Sequence, residues 1–429
     1  MNKRKTFSKN FRQIIESSLN LILNRYDQHP GYGYLDTKFD LLTQRDYFNT
    51  QRAEDILRSG QTIYSWIQGR GLESLAEHYQ AGFGNPKCIL RILQEVCDNL
   101  QKCRIRNAGR MFFMMTPDGQ WLNPNGTLRN HPLTGDANYS DLFVAKGLLH
   151  AAASLEDSAL QHSALVWLRQ ITEAIAEFRF VTDQQTFDPA NPITIQPDKV
   201  LLGPFMICLS GITKAAELTK DCWWLDRGCD FIRRILTFHV KWFRGIPDVF
   251  EAVHKDGSPW IEDEKLLCDP GHTLEFIGLA QKFLFVLEHV GRTDDIELIE
   301  RCRQEFPLIL SRVFRQGFFR ESGGIVKSID LLTQQPINSD MPWWSLPETI
   351  RAAAENEIFS KIPQHEIIDI CSEVFWKYYT IPRYWYFAWQ TRDKAGKPTK
   401  AIPAVPDLDP GYHTNLCLID ILKLWRNLR

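Results

Sequence analysis

The sequence predicts an all-α protein built as a closed ring of helical hairpins, with short β-hairpins gathered at one mouth. Three observations lead to this. Apolar residues recur at three- and four-residue spacing in about a dozen segments. No Pro/Ser-rich linker divides the chain; the Pro-rich segment 186–204 is short and lies between two helices. A unit of hairpin, loop and helix then recurs at nearly constant range.

The helical segments run, in order, over 10–25, 61–80, 86–103, 138–155, 159–179, 201–219, 223–243, 271–290, 294–315, 343–358, 363–379 and 412–427. In the third, Ile89, Ile92, Leu93, Val96, Cys97 and Leu100 form one apolar stripe. Between helices, short apolar runs precede turn residues: Met111–Met115 before Asp118-Gly119, Val249–Val253 before Asp256-Gly257, Phe318-Phe319 before Gly323-Gly324, and Tyr384–Trp389 before Asp393-Lys394-Ala395-Gly396. These read as β-hairpins, since Asp-Gly pairs suit positive φ. A polar or aromatic cluster follows each turn. The spacing is 20 residues from 118 to Asn138, 16 from 256 to His272, 20 from 323 to Trp343 and 20 from 393 to His413.

Hairpin pairs of helices bury their stripes if six inner helices are ringed by six outer ones. The 429 residues then form one domain over 1–429. If the inner helices run alike, their N-termini and the recurring polar clusters meet at one mouth, where a functional site belongs. An open superhelix would instead need regular repeats of about 34 to 47 residues, and the sequence has none.

Composition narrows the function. Fifty Lys+Arg against 52 Asp+Glu give a formal charge of -2, which attracts neither nucleic acid nor an anionic membrane. No apolar run reaches the roughly 18 residues of a membrane-spanning helix, and Phe11–Leu23 reads as amphipathic rather than as a signal peptide. The 10 Cys include no CxxC pair, so no zinc framework is visible, and Cys208, Cys302 and Cys417 sit in helix-like apolar runs as buried thiols. A reducing cytoplasm is the expected compartment. GxxxxGK[ST], GxGxxG, HExxH and GxSxG are all missing, so nothing calls for ATP, NAD, a metal or another cofactor.

The candidate site residues lie at the starts of the predicted inner helices. In Asp269-Pro270-Gly271-His272-Thr273-Leu274-Glu275, His272 follows a turn at a helix N-terminus, where the macrodipole favours a neutral ring able to accept a proton. Glu275 lies three residues on, on the same face, able to orient that ring or reach a ligand hydroxyl. Asp409-Pro410-Gly411-Tyr412-His413 repeats the arrangement, and two such histidines facing each other could act as base and acid beside a carbonyl. Both could equally be helix caps. Trp343-Trp344-Ser345-Leu346-Pro347-Glu348 offers a sugar-stacking ring and a carboxylate, with one Trp expected in the core. Arg70, four residues after Trp66, would need a carboxylate or ligand oxygen inside an aromatic cavity; taken alone, it reads rather as a surface Arg. Asn138-Tyr139-Ser140-Asp141 places Asn138 or Ser140 as an N-cap and Asp141 at the mouth.

Trp66-Ile67-Gln68-Gly69-Arg70, the Pro270–Glu275 block, Trp343–Glu348 and Gly411-Tyr412-His413 occur in this order across most of the chain. Together they resemble the signature blocks of the N-acylglucosamine 2-epimerase family, which includes cellobiose 2-epimerases and mannose-type aldose–ketose isomerases. The resemblance implies an (α/α)6 barrel and a sugar epimerase or isomerase working through an enediol(ate). It implies His272 and His413 as the acid/base pair, Arg70 on a sugar oxygen near C1 or C2, and Glu275 supporting His272 and a hydroxyl. Trp343 would be the sugar platform with Glu348 nearby; Asn138 and Asp141 are expected as substrate contacts from their own place at the predicted mouth, not from the resemblance. The implied partner is a small-molecule sugar; the oligomeric state, a homodimer included, stays open. Two other classes stay open as well. One is a glycan hydrolase or lyase using carboxylates among Asp141, Glu275 and Glu348. The other is a non-catalytic toroid that binds sugar or protein.

Overall fold

The computed structural model describes residues 3–129, 135–185, 195–292, 295–381, 386–387, 391–399 and 408–427. Its α-helices are α1 (Lys3–Gln28), α2 (Ser65–Gln80), α3 (Pro86–Arg106), α4 (Tyr139–Leu155), α5 (Ser158–Ala176), α6 (Leu202–Thr219), α7 (Cys222–Arg234), α8 (Pro270–His289), α9 (Ile296–Gly317), α10 (Ser345–Ser360), α11 (His365–Tyr378) and α12 (His413–Asn427).

The even-numbered helices form the inner ring. Each packs on the next, from α2 through α4, α6, α8 and α10 to α12, and α12 closes on α2. The odd-numbered helices lie outside: α3 bridges α2 and α4, α5 bridges α4 and α6, and α7 bridges α6 and α8. Burial follows this division. In α3 only the stripe Ile89, Ile92, Leu93, Val96, Cys97, Leu100 and Cys103 is buried, whereas every residue of α4 from Tyr139 to Ala152 is buried. A helix wrapped on all sides has no water-facing stripe to keep polar. The tightest crossing is α2 on α4: a Cβ on Gly147 would stand 2.4 Å from the Gly69 carbonyl oxygen, so neither glycine has room for a side chain. The architecture is the (α/α)6 ring, with Cys208, Cys302 and Cys417 buried as the apolar runs require.

Short strands precede five of the inner helices and tie their N-termini to neighbours. Ile63–Tyr64 pairs with Met114–Met115, Ala137–Asn138 with Phe180–Val181, and Lys199–Leu201 with Ala252–His254. Lys265–Cys268 sits inside a four-stranded sheet with Ile261–Glu262, Ser328–Asp330 and Gln335–Asn338, and Met341–Pro342 pairs with Thr391–Arg392. The turns adopt positive φ at Gly119, Gly257, Gly323 and Gly396, as their sequences require.

Two expectations change. The helix over 223–243 ends at Arg234; after one π turn, Val240–Phe243 becomes a strand paired with Ile246–Val249. The Tyr384–Trp389 run is described only at Tyr386–Phe387, which pairs back with Thr380–Ile381, so the hairpin around Gly396 is made by Thr391–Arg392 and Pro398–Thr399. Both changes extend the strand content beyond what short apolar runs signal, because strand pairing depends on distant partners.

Candidate active site

All six inner helices present their first turns, or the residues just before them, to one cavity of about 300 Å³. Trp66 and Arg70 come from α2, Tyr139 and Phe143 from α4, Gly203 from α6, His272 and Glu275 from α8, Trp343 and Trp344 from the residues before α10, and Asp409 and His413 from the start of α12. The two histidines flank one ring. Trp344 lies 5.7 Å from the His272 centroid and 5.2 Å from that of His413. Both Trp343 and Trp344 are buried, and both line the cavity, so neither is a purely core residue.

The histidines differ in charge. His272 is about 29% exposed and its Nδ1 lies 2.9 Å from Glu251 Oε1 and 3.4 Å from Asp269 Oδ2. Burial disfavours its charged form, but Asp269 and Glu251 outweigh burial and raise its pKa to about 9. The expectation of a neutral ring is thereby corrected: two carboxylates within reach override the dipole of one helix end. Nδ1 donates to Glu251, so the protonated ring carries a second N–H at Nε2. Lys327 Nζ bonds the same Asp269 carboxylate and stands 5.3 Å over Trp344.

His413 has the reverse setting. It is buried, and its Nδ1 donates to Glu348 Oε1 at 3.0 Å with Glu275 Oε1 at 4.0 Å. Burial, helped by the cations Arg70, Arg351 and Lys146, lowers its pKa to about 3. A neutral ring whose Nδ1–H is held by a carboxylate keeps its lone pair at Nε2.

The carboxylates are redistributed relative to expectation. Glu275 lines the cavity but sits beside His413; the acceptor that orients His272 is Glu251. Glu348 does not line this cavity. Its Oε1 holds His413 and its Oε2 accepts from Arg351, so it positions the ring rather than meeting a sugar hydroxyl. Asn138 and Asp141 also leave the site. They form a capping box on α4: the Asn138 side chain accepts from Asp141 N at 2.8 Å, and Asp141 accepts from Asn138 N at 3.2 Å. Asp141 further binds Arg110 and Met111 N, each at 2.8 Å, which leaves it facing backbone and not ligand. Of Asp141, Glu275 and Glu348, only Glu275 reaches the cavity, so the hydrolytic carboxylate pair drawn from these three is not assembled.

Arg70 lies in an aromatic cage, 4.4 Å from the Phe143 centroid and 5.2 Å from that of Tyr412, and not on the open surface that its spacing alone favours. Its Nε has no hydrogen-bond partner among the described residues. Asp409, buried nearby, is raised to about 6 by burial, against the pull of Arg70.

Sequence reading missed Glu251, Lys327, Asp409 and Lys146. Lys146 is fully buried under the floor, with Nζ 2.9 Å from Glu73 and bonded to Tyr412 OH and Ser210. A lone cation inside the apolar run Phe143–Leu149 was its available signal, and the shared Asp-Pro-Gly of both histidine motifs was that of Asp409. Glu251 and Lys327 sit in short links between consecutive strands, with no local mark. Glu251, Asp269 and His272 bring three possible ligand atoms within 4.8 Å, as do Glu275, Glu348 and His413. Lys327 and Arg351 already supply positive charge to those two groups.

The fold is shared with solved structures. A cellobiose 2-epimerase from Bacillus thermoamylovorans B4167 matches over 98% of this chain and 99% of its own, at 14% identity and a TM-score of 0.72. A second, from Spirochaeta thermophila DSM 6192, matches over 99% and 98% at 13% identity and 0.71. A D-mannose isomerase matches over 96% and 97% at 14% identity and 0.69. At such identities the likeness establishes the fold. No curated protein sequence matches the chain. The family model for N-acylglucosamine 2-epimerase (GlcNAc 2-epimerase) spans residues 117–417 and takes in both histidine motifs and the paired tryptophans. The chain therefore belongs to the N-acylglucosamine 2-epimerase family.

Proposed function

We propose that this protein interconverts sugars at C2, as a 2-epimerase or an aldose–ketose isomerase, by moving a proton on the carbon beside the carbonyl. One observation carries the reading: two histidines flank a single tryptophan in a sugar-sized cavity, each with its Nδ1 held by a different carboxylate.

The open-chain aldose would stand between the two rings. His413 Nε2 takes the C2 proton, and the C–H electron pair moves into a C1–C2 double bond as the carbonyl π electrons move to O1. Arg70 meets the developing charge on oxygen, an effect of roughly a few kcal/mol in a water-poor site. His272 is the acid. If it returns a proton to the opposite face of C2, the 2-epimer forms. If it protonates O1 and C1 then receives the proton held by His413, with O2–H lost to the acid's nitrogen, the ketose forms. The neighbouring folds named for cellobiose and mannose chemistry support this class without choosing the sugar.

The test is turnover in D₂O followed by NMR, with mannose, glucose, N-acetylglucosamine, N-acetylmannosamine and cellobiose. Deuterium at C2 or C1 of substrate or product is expected. A full panel with neither conversion nor exchange overturns the reading.

A further inference from the structure

A second chamber of about 660 Å³ adjoins the catalytic cavity, and Tyr139, Thr182 and Leu201 belong to the walls of both. The catalytic cavity, at about 300 Å³, is at the small end for ligand sites, while the second is the size that takes a larger organic group. Its inner wall is apolar: Phe178, Phe180, Val200, Pro204 and Phe205 line it, and Phe178 and Phe180 remain only partly buried.

Most of its polar lining is engaged already, and Gln196 Oε1 is left as a buried acceptor without a partner among the described residues. Arg179 is paired with Asp136 and Glu177, Lys199 with Glu262, and Gln196 reaches the same Glu262 at 3.5 Å. A second sugar ring would need several donors and acceptors for its hydroxyls, more than the single open acceptor of Gln196, because buried polar groups left unmatched are costly. An apolar group needs none.

We propose that the second chamber receives an apolar aryl or acyl substituent on the far end of the reacting sugar, reached over the Tyr139–Thr182–Leu201 saddle. This rests on the reading of the histidine cavity given above. C1 and C2 must lie between the histidines, so the substituent is carried at O4 or O6, the oxygens farthest from the reacting carbons.

The experiment compares mannose and glucose with their 4-O-benzyl and 6-O-benzyl derivatives, and with cellobiose, by deuterium exchange and conversion in D₂O. At least one benzyl derivative should show kcat/KM about tenfold or more above its parent, the gain expected from burying a phenyl ring. In Ile195→Trp, which fills the chamber from its exposed side, the ratio of benzyl derivative to parent should fall towards one. Exchange with the parent sugars and no gain from any benzyl group overturns the chamber assignment and leaves the catalytic reading standing. A preference for cellobiose over every benzyl derivative does the same. No exchange with any sugar overturns both.

Discussion

Nδ1 of His272 lies 2.9 Å from Oε1 of Glu251, a carboxylate 21 residues upstream on a different element. Together with Asp269, the larger of the two raising charges, Glu251 makes His272 the cation of the two histidines, and the consequence is a pH dependence with a definite sign. Carboxylates raise the folded-state pKa of His272 to about 9, so the acid form persists through neutral pH. Turnover should fall as pH rises through about 9. The stabilising effect of the pair follows the same limb: fully present below the unfolded value near 6.5, it is lost as pH climbs through the folded one. Glu251→Gln removes one of the raising charges and should move the alkaline limb of kcat down by about one pH unit. A kcat–pH profile that stays in place would disprove the assignment.

Removing either ring should stop the chemistry. His272→Ala and His413→Ala should each lower kcat by about 100-fold or more, with circular dichroism unchanged. Normal turnover by either variant removes the pair from the mechanism.

Glu348 is expected to act on stability as well as rate. It is buried against both His413 and Arg351, whose side chain is only 5% exposed. Glu348→Ala leaves the guanidinium short of its counter-charge, a loss of about 3–5 kcal/mol when a buried pair is broken. Asp420, at 3.7 Å from Arg351, softens this towards the lower figure. Denaturant titration measures it. Glu348→Gln also removes the counter-charge but keeps the shape and one acceptor oxygen, so a drop in kcat measured well below the Tm of that variant, where it is fully folded, isolates the positioning of His413.

Asn138→Ala should lower stability by about 1 kcal/mol through loss of the capping box on α4. Its kcat/KM should match the parent enzyme, since the side chain faces Asp141 N and the Met111 carbonyl. A selective rise in KM, without a shift in Tm, would return Asn138 to the substrate site.

Gly147→Ala tests the ring itself. Its added methyl would stand 2.4 Å from a backbone oxygen of α2, and that backbone is not free to rotate away. A loss of about 1–3 kcal/mol is expected, the usual cost of overpacking. Tm unchanged within a degree would mean the helices are not in such close contact.

Sequence alone determined the helices, because burying one stripe of a 3.6-residue spiral leaves a local signature, as in Ile89 to Leu100 of α3. It also determined that His272 and His413 open inner helices, because each follows its own Asp-Pro-Gly turn. Tertiary structure alone decided what those rings meet. Glu251 reaches His272, and Glu348 reaches His413 from 65 residues away, through pairings that leave no trace in local spacing. Asn138 and Asp141 carry the opposite lesson: their spacing is that of a local cap, and the folded chain uses it as one. Periodicity and turns are short-range properties of the backbone. Charge state depends on which groups the closed ring brings within a few ångströms, and that is settled only when α12 meets α2.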